Sequence, residues 1–548
     1  MRVMPAAPSR APSAQRPRPF RPNLPGRPGW TTRAGARALA ARTWAGHRLF
    51  LIVLTPAVLL RIDAELGYRW HAWFNDSFQY VQNTVHFNLD PTRVSGYSIW
   101  LKILQPLHTY AVVTILQHLM AVAVAVMIYA LARHRFRTPA WLATLATVPV
   151  LYDGFEIQLE HLIMADVPFL FLLTLAVTLL LWDTEAPAPS LRRCMLIGAL
   201  LGLSEVMRSV GLPLLAVFAV YMIIKRVSWR KVAATIVVCL IPVFGYAGWF
   251  YAEHGQFAMT DSTGVFLYSR VMTFADCTKM KVPPNELSLC TTVPPDKRPI
   301  AQAYIWTSES PLGRFPSKFT PVPNQLAENF AIRAIKAQPL DYATAVAKDT
   351  LRAFAWKRAI FPNAPTYDEY IFGYQSLPIP DWDQADLGPY DSYAAAYVHG
   401  NPLTQVVAPF ANVIRGYQRY VWLPGSVYGL ILLAGLGGMV LAWRRLGGEA
   451  LLPWTISLAL IVIPAATAEF DYRYVLVAVP FACLAAALAF SPGTAGEKLA
   501  RRLGARLGKR GQRAGEVAPA GERAVGERAA APAGGSGDDQ RDLAADGT

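Results

Sequence analysis

Acids near the end of the first apolar run could do chemistry. Asp76 and Tyr80 stand among tryptophan and phenylalanine residues. A carboxylate that loses hydration among aromatic rings has a raised pKa, which suits a general base, and the rings could stack on a sugar or pack on lipid. The alternative is that Asp76 caps a short interfacial helix. Asp63 and Glu65, closer to the apolar run, are expected to pair with Arg61 or Arg69.

A second group of acids follows residue 152. Asp153, Glu156 and Glu160 are spaced so that they share one face of a helix, and Asp166 stands at the start of the next apolar run. Acids at such positions usually face the protein interior and mark a functional site. The alternative is a polar reverse turn held at the interface by its charges. His161 could be a metal ligand, although a lone histidine more often makes an ordinary hydrogen bond.

Two arginines stand at the ends of later apolar runs. Arg208 follows Glu205 and needs an anionic partner, which would be Glu205, one of the acids above, or a substrate phosphate. Arg473 lies between two tyrosines, one of which is Tyr472. It could hold a lipid phosphate at headgroup depth, or extend to the headgroups with the tyrosines as anchors.

The elements that must position these residues are membrane helices. The chain has 548 residues, of which 53% are hydrophobic and only 16% are charged, whereas about a quarter of a soluble domain is charged. The mean hydropathy is +0.26, and several apolar runs approach the roughly 20 residues that cross a hydrocarbon core. The composition predicts an α-helical polytopic membrane protein.

The apolar runs predict about ten transmembrane helices in two groups. Residues 47–251 would form a first module of about seven spans, and residues 421–490 a final group of about three. The tails 1–46 and 491–548 are predicted to be disordered because of their composition. The predicted spans lie roughly at 48–66, 108–132, 138–152, 164–182, 192–207, 210–225, 232–251, 421–443, 451–468 and 473–490.

The charges predict the orientation. Connectors between the predicted spans alternate between basic and acidic, and the basic side should be the cytoplasm by the positive-inside rule. Both termini are then cytoplasmic, in a multi-pass protein of the cell membrane. The net charge of +15 is concentrated in the tails and the basic connectors, so no nucleic-acid partner is expected.

Two of the predicted outside segments are long. Residues 67–107 place aromatic side chains at helical spacing, which predicts interfacial helices. Residues 252–420 are the size of a domain and predict a soluble extracytoplasmic domain. Cys277 and Cys290 both lie in it, and a disulfide is expected if this domain faces an oxidising compartment.

Several of these segments match a known pattern. The matching residues, in chain order, are Asp76 with Tyr80, the stretch 95–100 (Ser-Gly-Tyr-Ser-Ile-Trp), the stretch 159–166 ending in Asp166, the stretch 208–212 beginning with Arg208, and Tyr472-Arg473-Tyr474. With them the chain resembles the GT-C superfamily of membrane glycosyltransferases. It looks most like the branch that uses polyprenyl-phosphate sugars, which includes protein O-mannosyltransferases and aminoarabinose transferases. The resemblance covers about 48–251 and 451–490.

The resemblance implies an inverting glycosyl transfer outside the membrane. Asp76 would take the proton of the acceptor hydroxyl, while Arg208 and Arg473 would stabilise the departing polyprenyl phosphate. The residues implied to bind substrate are Tyr80, Asp153, Glu156, Glu160, Asp166, Arg208, Tyr472 and Arg473. The implied partners are a polyprenyl-phosphate sugar, membrane lipids and an acceptor protein, glycan or lipid.

The chain also departs from the family pattern. Asn75 stands where many relatives have a second acid beside Asp76, and this weakens the case for a divalent metal without closing it. No cofactor is expected to be required. Ten predicted spans are fewer than the eleven to thirteen common in the family, which leaves the carboxy-terminal half less well matched.

Two other classes compete with a glycosyltransferase. A transporter, such as a flippase of lipid-linked sugars, would also contain buried charges. Carriers usually show inverted repeats and broken helices near mid-membrane, whereas here the charges cluster at the outer boundary and no repeat relates the two halves. A non-catalytic scaffold that binds through residues 252–420 is the third class.

The predicted orientation can be tested with introduced cysteines. A cysteine within 252–420 should react with a membrane-impermeant maleimide added to intact cells, because that segment is expected outside. A cysteine at position 20 should react only after the membrane is opened. Labelling at position 20 in intact cells would contradict the orientation.

Overall fold

The computed structural model describes residues 33–69, 71–182, 189–307, 310–375, 390–445, 447–494, 496–497 and 501–502. Met1–Ile52 and Val53–Thr548 form two separate compact units, and the site described below belongs to the second. The first helix begins at Arg33, earlier than the predicted span at 48–66. The predicted disorder of 1–32, and of most of 491–548, falls outside the described residues.

Eleven α-helices are described in the region of the first predicted module. The predicted third span, 138–152, consists of two short helices, α5 and α6, while α2 and α3 occupy the first outside segment where interfacial helices are predicted. The helices are α1 (Arg33–Gly67), α2 (Asn75–His86), α3 (Gly96–Leu104), α4 (Ala111–Ala130), α5 (Ala140–Leu145), α6 (Val148–Tyr152), α7 (Gly154–His161), α8 (Asp166–Leu181), α9 (Leu191–Met207), α10 (Gly211–Ile224) and α11 (Trp229–His254).

The region 252–420 is also helical. The helices between residues 263 and 352 pack around a buried apolar cluster that includes Tyr268 and Phe330, and Cys277 and Cys290 form a disulfide beside it. A short strand, β1 (Tyr68–Arg69), pairs antiparallel with β2 (Gln405–Val406) and ties the end of this region to the start of the segment 67–107. The helices are α12 (Thr263–Val271), α13 (Ala303–Trp306), α14 (Pro321–Ala337), α15 (Pro339–Arg352), α16 (Ala364–Asp368), α17 (Tyr390–Val398) and α18 (Phe410–Tyr420).

Three helices complete the described chain: α19 (Gly425–Leu441), α20 (Leu451–Thr467) and α21 (Tyr472–Leu488). Within the described ranges, Ala111–Arg135 and Trp229–His254 are long and apolar enough to cross a membrane. Helices α18 and α19 would add a third span if they act together, although they are bent by 61°. The other apolar helices are shorter, so the count of about ten spans stays a prediction.

Glycine residues bring α9 close to its neighbours, which fixes the end of α9 that carries Arg208. A Cβ at Gly202 would lie 2.3 Å from the carbonyl oxygen of Cys239 in α11, so only glycine permits this approach. At the first residue of α3, a Cβ on Gly96 would lie 2.3 Å from the carbonyl oxygen of Val206. The end of α9 is therefore held by backbone contacts on two sides.

The disulfide should stabilise the region 252–420. It joins cysteines 13 residues apart, and in the chain-entropy model closing such a loop contributes about 3 kcal/mol. Replacing Cys277 and Cys290 together by serine should therefore lower the unfolding temperature and increase proteolysis in this region. Serine at the buried thiol Cys194 is the comparison that should leave this region's protease pattern intact. Two free thiols at 277 and 290 in the mature protein would contradict the pairing.

Candidate active site

The carboxylate of Asp76 lies between two arginines. Asp76 is in the first turn of α2, and its Oδ1 is 2.6 Å from Nη2 of Arg93 while its Oδ2 is 2.7 Å from Nη1 of Arg473. Both oxygens therefore bind side chains from other parts of the chain and do not cap the helix. Arg473 also pairs through Nε with Asp471 at 2.9 Å.

Arg208 joins the same cluster from the end of α9. It pairs with Asp166, the first residue of α8, and not with the sequence neighbour Glu205. The guanidinium carbons of Arg208 and Arg473 lie 4.9 and 5.5 Å from the ring centre of Tyr474. The two arginines predicted to bind phosphate therefore flank one aromatic ring.

The electrostatics of Asp76 differ from the prediction. Burial alone would raise its pKa, but the positive charges of Arg93, Arg473 and Arg208 outweigh burial and hold the pKa well below its usual range. The prediction of a raised pKa was wrong because it considered only the aromatic neighbours. Tyr80 lies within reach of the same charges, and burial raises the pKa of its hydroxyl.

A buried acid from the region 252–420 completes the cluster. Glu369 accepts a hydrogen bond at 3.2 Å from the backbone N–H of Asn75, beside Asp76. Burial, together with the negative charges of Asp76 and Asp471, raises the pKa of Glu369 to about 9. The next residue, Tyr370, donates its hydroxyl to Asp471. Glu369 is therefore protonated at neutral pH, while the low pKa of Asp76 keeps that carboxylate ionised.

Asp153 and Tyr472, both predicted to bind substrate, lie around a different arginine. Nη2 of Arg358 is 3.6 Å from Oδ2 of Asp153, and its guanidinium carbon lies 3.9 Å from the ring centre of Phe155 and 5.2 Å from that of Tyr472. Asp153 also caps α7 by accepting the N–H of Phe155 at 2.9 Å. Its other neighbour in the predicted set, Glu156, is buried as well.

Glu160 lies apart from the Asp76 cluster, in a buried ion pair. Its two oxygens bind Arg61 at 2.5 and 2.7 Å, and its Oε2 is also 2.7 Å from Nδ1 of His118. Arg61 therefore pairs with Glu160 and not with Glu65. The predicted pairing with Arg61 is wrong, and the alternative pairing with Arg69 stays a prediction. Glu156 lies close enough to Asp153 and Glu160 for both charges to act on it, and these two acids pair with different arginines.

A cavity of about 1110 Å³ opens beside Arg358. Its wall carries three further cations, Lys357, Arg415 and Arg419, against the single acid Asp368. The aromatic residues on the wall are Phe155, Tyr367, Phe372, Tyr374, Tyr420 and Trp422. The cavity can therefore take a ligand that combines negative charge with flat or ring-shaped groups.

The acids of the Asp76 cluster do not offer the arrangement that a divalent metal needs. Both oxygens of Asp76 bind arginines, and Asp166 binds Arg208. An added cation would have to displace guanidinium groups, which themselves supply the positive charge. Among the described residues, a set with free ligand atoms lies elsewhere, at Glu65, His118 and His161.

Sequence reasoning missed several residues of the site. Arg93 and Arg358 are arginines in predicted outside segments, the same signal that drew attention to Arg208 and Arg473. Histidine in an apolar run, as at His118, is a further signal. For Glu369 no pattern in the sequence was informative.

No protein-family model matches the chain, and no curated protein sequence matches it. Solved structures similar to it include the oligosaccharyltransferase of Archaeoglobus fulgidus in complex with Zn and sulfate, at 13% identity and a TM-score of 0.37. That alignment covers 80% of this chain and 48% of the other, so this chain spans about half the length of the neighbour. The enzyme AglB from the same organism, in complex with an inhibitory peptide and a dolichol-phosphate, is similar at 13% identity and a TM-score of 0.35, over 81% of this chain and 50% of the other.

A bacterial structure is similar as well. ArnT from Cupriavidus metallidurans bound to undecaprenyl phosphate has 14% identity and a TM-score of 0.30, over 80% of this chain and 76% of the other. Because these identities and TM-scores are low, the function of this chain has to be inferred from its own residues.

The raised pKa of Glu369 predicts a pH-dependent stability. Between about pH 4.3, the ordinary pKa of a glutamate, and pH 9, the folded state holds a proton that the unfolded state has lost, so stability falls as pH rises. Glu369→Gln cannot ionise and should escape this loss. Its unfolding temperature relative to the wild type should increase from pH 5 to pH 9, whereas Glu328→Gln, a half-buried control, should show no such trend. A constant difference would contradict the assignment.

Proposed function

We propose that the protein is an integral membrane glycosyltransferase of the GT-C type. It transfers a hexosyl or pentosyl group from a polyprenyl phosphate to an extracytoplasmic acceptor hydroxyl, with inversion at the sugar. The observation that carries the proposal is the joining of Asp76, Asp166, Arg208 and Arg473 in one buried cluster of ion pairs. These four residues come from four separate connectors, at positions where the sequence predicts the outer boundary of the membrane.

Arg208 and Arg473 are suited to hold the donor phosphate. Arginine offers a planar fork of N–H donors that matches phosphate oxygens, and it stays charged at all relevant pH values. Each arginine already has a carboxylate partner, so a phosphate must replace part of that partnership. The charge on the leaving phosphate would then be neutralised by groups that are already in place.

The donor would also activate the base. In the structure both oxygens of Asp76 are engaged by arginines, which makes the carboxylate a poor proton acceptor. When the phosphate takes over Arg473, Asp76 loses one positive neighbour, so its pKa rises and its Oδ2 becomes free. That oxygen can then take the proton of the acceptor hydroxyl, a role that typically contributes about 10²–10⁴-fold in rate.

The basic cavity beside Arg358 is suited to the acceptor. Tyr472 lies next to Arg473 in the chain and contacts Arg358 on the cavity wall, so the cavity borders the Asp76 cluster. Nη1 of Arg358 is buried without a hydrogen-bond partner, which leaves a donor for a ligand oxygen. The aromatic wall and the excess of cations favour an acceptor with sugar rings and negative charge.

A transporter of lipid-linked sugars is the alternative function. It would use the same arginines to hold a lipid phosphate but would make no glycosidic bond. The ion pairs on Asp76 favour chemistry, since they hold this carboxylate directly against Arg473, one of the two candidate phosphate ligands. The two functions differ in whether labelled sugar reaches an acceptor or only crosses the membrane.

Arg473→Ala should weaken donor binding, whereas Asp76→Asn should not. Arg473→Ala removes a charge-assisted contact worth about 1.5–3 kcal/mol, so affinity for a polyprenyl phosphate in nanodiscs should fall roughly 10- to 150-fold. Asp76→Asn removes the anion that competes with the phosphate, so affinity should stay the same or rise while sugar transfer is lost. Arg473→Lys should recover only part of the binding, because lysine lacks the planar fork.

Asp349→Asn is the matched control for Asp76→Asn. Asp349 also forms a buried pair with an arginine, Arg270, but it lies outside the cluster. This control should lower stability while leaving donor binding and transfer per folded molecule unchanged. Folded Asp76→Asn protein with full transfer activity would refute the assignment of Asp76 as the general base. If neither Asp76→Asn nor Arg473→Ala alters donor binding, the phosphate site is refuted.

A further inference from the structure

Three side chains of metal-ligand type converge away from the Asp76 cluster. They are Glu65 near the end of α1, His118 in α4 and His161 at the end of α7. Nε2 of His118 lies 3.3 Å from Nδ1 of His161, and Oε1 of Glu65 lies 3.6 and 3.8 Å from these two nitrogens. Their side chains are 12%, 6% and 0% exposed in the order given.

The outer nitrogen of each histidine already donates a hydrogen bond. Nδ1 of His118 is 2.7 Å from Oε2 of Glu160, a carboxylate paired with Arg61, and Nε2 of His161 is 2.7 Å from the carbonyl oxygen of Tyr68. A carboxylate and a carbonyl can only accept, so these ring nitrogens carry the protons. In a neutral imidazole the other ring nitrogen then carries no proton and presents a lone pair.

Two lone pairs therefore face each other across 3.3 Å, beside a carboxylate. This arrangement is repulsive unless a cation lies between the three groups. Glu65 supports the same conclusion, since its carboxylate is buried and its Oε1 faces the nitrogens of both histidines. A carboxylate in this position needs a positive partner, and Arg61 is already paired with Glu160.

The distances suit a small tetrahedral metal ion. Zinc binds histidine nitrogen and carboxylate oxygen at about 2.0–2.2 Å, which places two tetrahedral ligand atoms roughly 3.3–3.5 Å apart. The three separations here, 3.3, 3.6 and 3.8 Å, are close to that value before any metal draws the ligands in. Two histidines and one glutamate are also an established ligand set for zinc.

We propose that Glu65, His118 and His161 bind one Zn²⁺ ion. The hydrogen bonds that the rings donate to Glu160 and to the Tyr68 carbonyl fix their orientations, as outer partners of metal-bound histidines usually do. The ion would join α1, α4 and α7, and so hold α7, whose cap Asp153 contacts Arg358 beside the acceptor cavity. The site does not depend on the proposed transferase activity, because no substrate residue of that proposal is a ligand.

A shared proton is the competing occupant. If His118 were an imidazolium, its Nε2–H could donate to His161, with Glu65 as the counter-charge. The folded protein would then bind no stoichiometric metal. Metal content therefore distinguishes the two occupants without reference to activity.

The test uses the full chain, purified in detergent through an affinity tag that contains no histidine. After incubation with ZnSO₄ and desalting, elemental analysis by plasma mass spectrometry should find close to one zinc ion per chain. The double variant His118→Ala/His161→Ala should retain less than a tenth of that. His254→Ala is the matched control, because Nε2 of His254 also bonds a backbone carbonyl, at 3.1 Å from Leu89, and it should keep the zinc.

A second measurement covers variants that fail to fold. Wild-type protein stripped with a chelator should melt at a higher temperature when Zn²⁺ is restored than when Mg²⁺ is added, and Glu65→Gln should reduce this shift. Folded wild-type protein with less than a tenth of an equivalent of zinc and no thermal shift would overturn the proposal. Equal zinc in the double variant and the wild type would also overturn it.

Discussion

Buried arginines need carboxylate partners, and this requirement determines how the connectors of the protein are arranged. Withdrawing one charge from water costs several kcal/mol unless a partner of opposite charge is placed beside it. Arg473 meets Asp76, 397 positions away in the sequence, and Arg61 meets Glu160, 99 positions away. Because neither charge of such a pair can be left alone, each pair determines which connectors come together, and the helices between them have to accommodate that arrangement.

The same constraint gives the candidate site its selectivity. Arg93, Arg208 and Arg473 are balanced by three aspartates, so the cluster has no excess charge to attract every anion. A ligand binds only if it replaces a carboxylate with better geometry, which a phosphate facing two planar guanidinium groups can do. Protonated Glu369 fits this balance, since a fourth negative charge beside Asp76 would be unpaired.

Charges at the ends of apolar runs could be identified from the sequence, but their partners could not. Asp166 and Arg208 stood out because each is a charge next to a membrane-length run, and both do belong to the cluster. The pKa of Asp76 was misjudged because the arginines that determine it lie 17 and 397 positions away. Local patterns report which residues are costly to bury, whereas the compensating residue depends on how helices pack. Glu369 shows the limit, since no local feature distinguishes it from a surface acid.

Helix α7 shows how contacts with several neighbours place its buried acids. An isolated helix of eight residues is unstable in water, so its neighbours must hold it. Arg61 binds Glu160 from one side, Gln418 donates to the carbonyl of Gly154 from another, and Gln117 donates to the carbonyl of Glu160. The spacing of the acids therefore reflects contacts on several sides of one short helix, all eight residues of which are buried. An amphipathic pattern therefore predicts a water-facing side only where the polar residues are exposed to solvent, and in α7 they contact other protein groups.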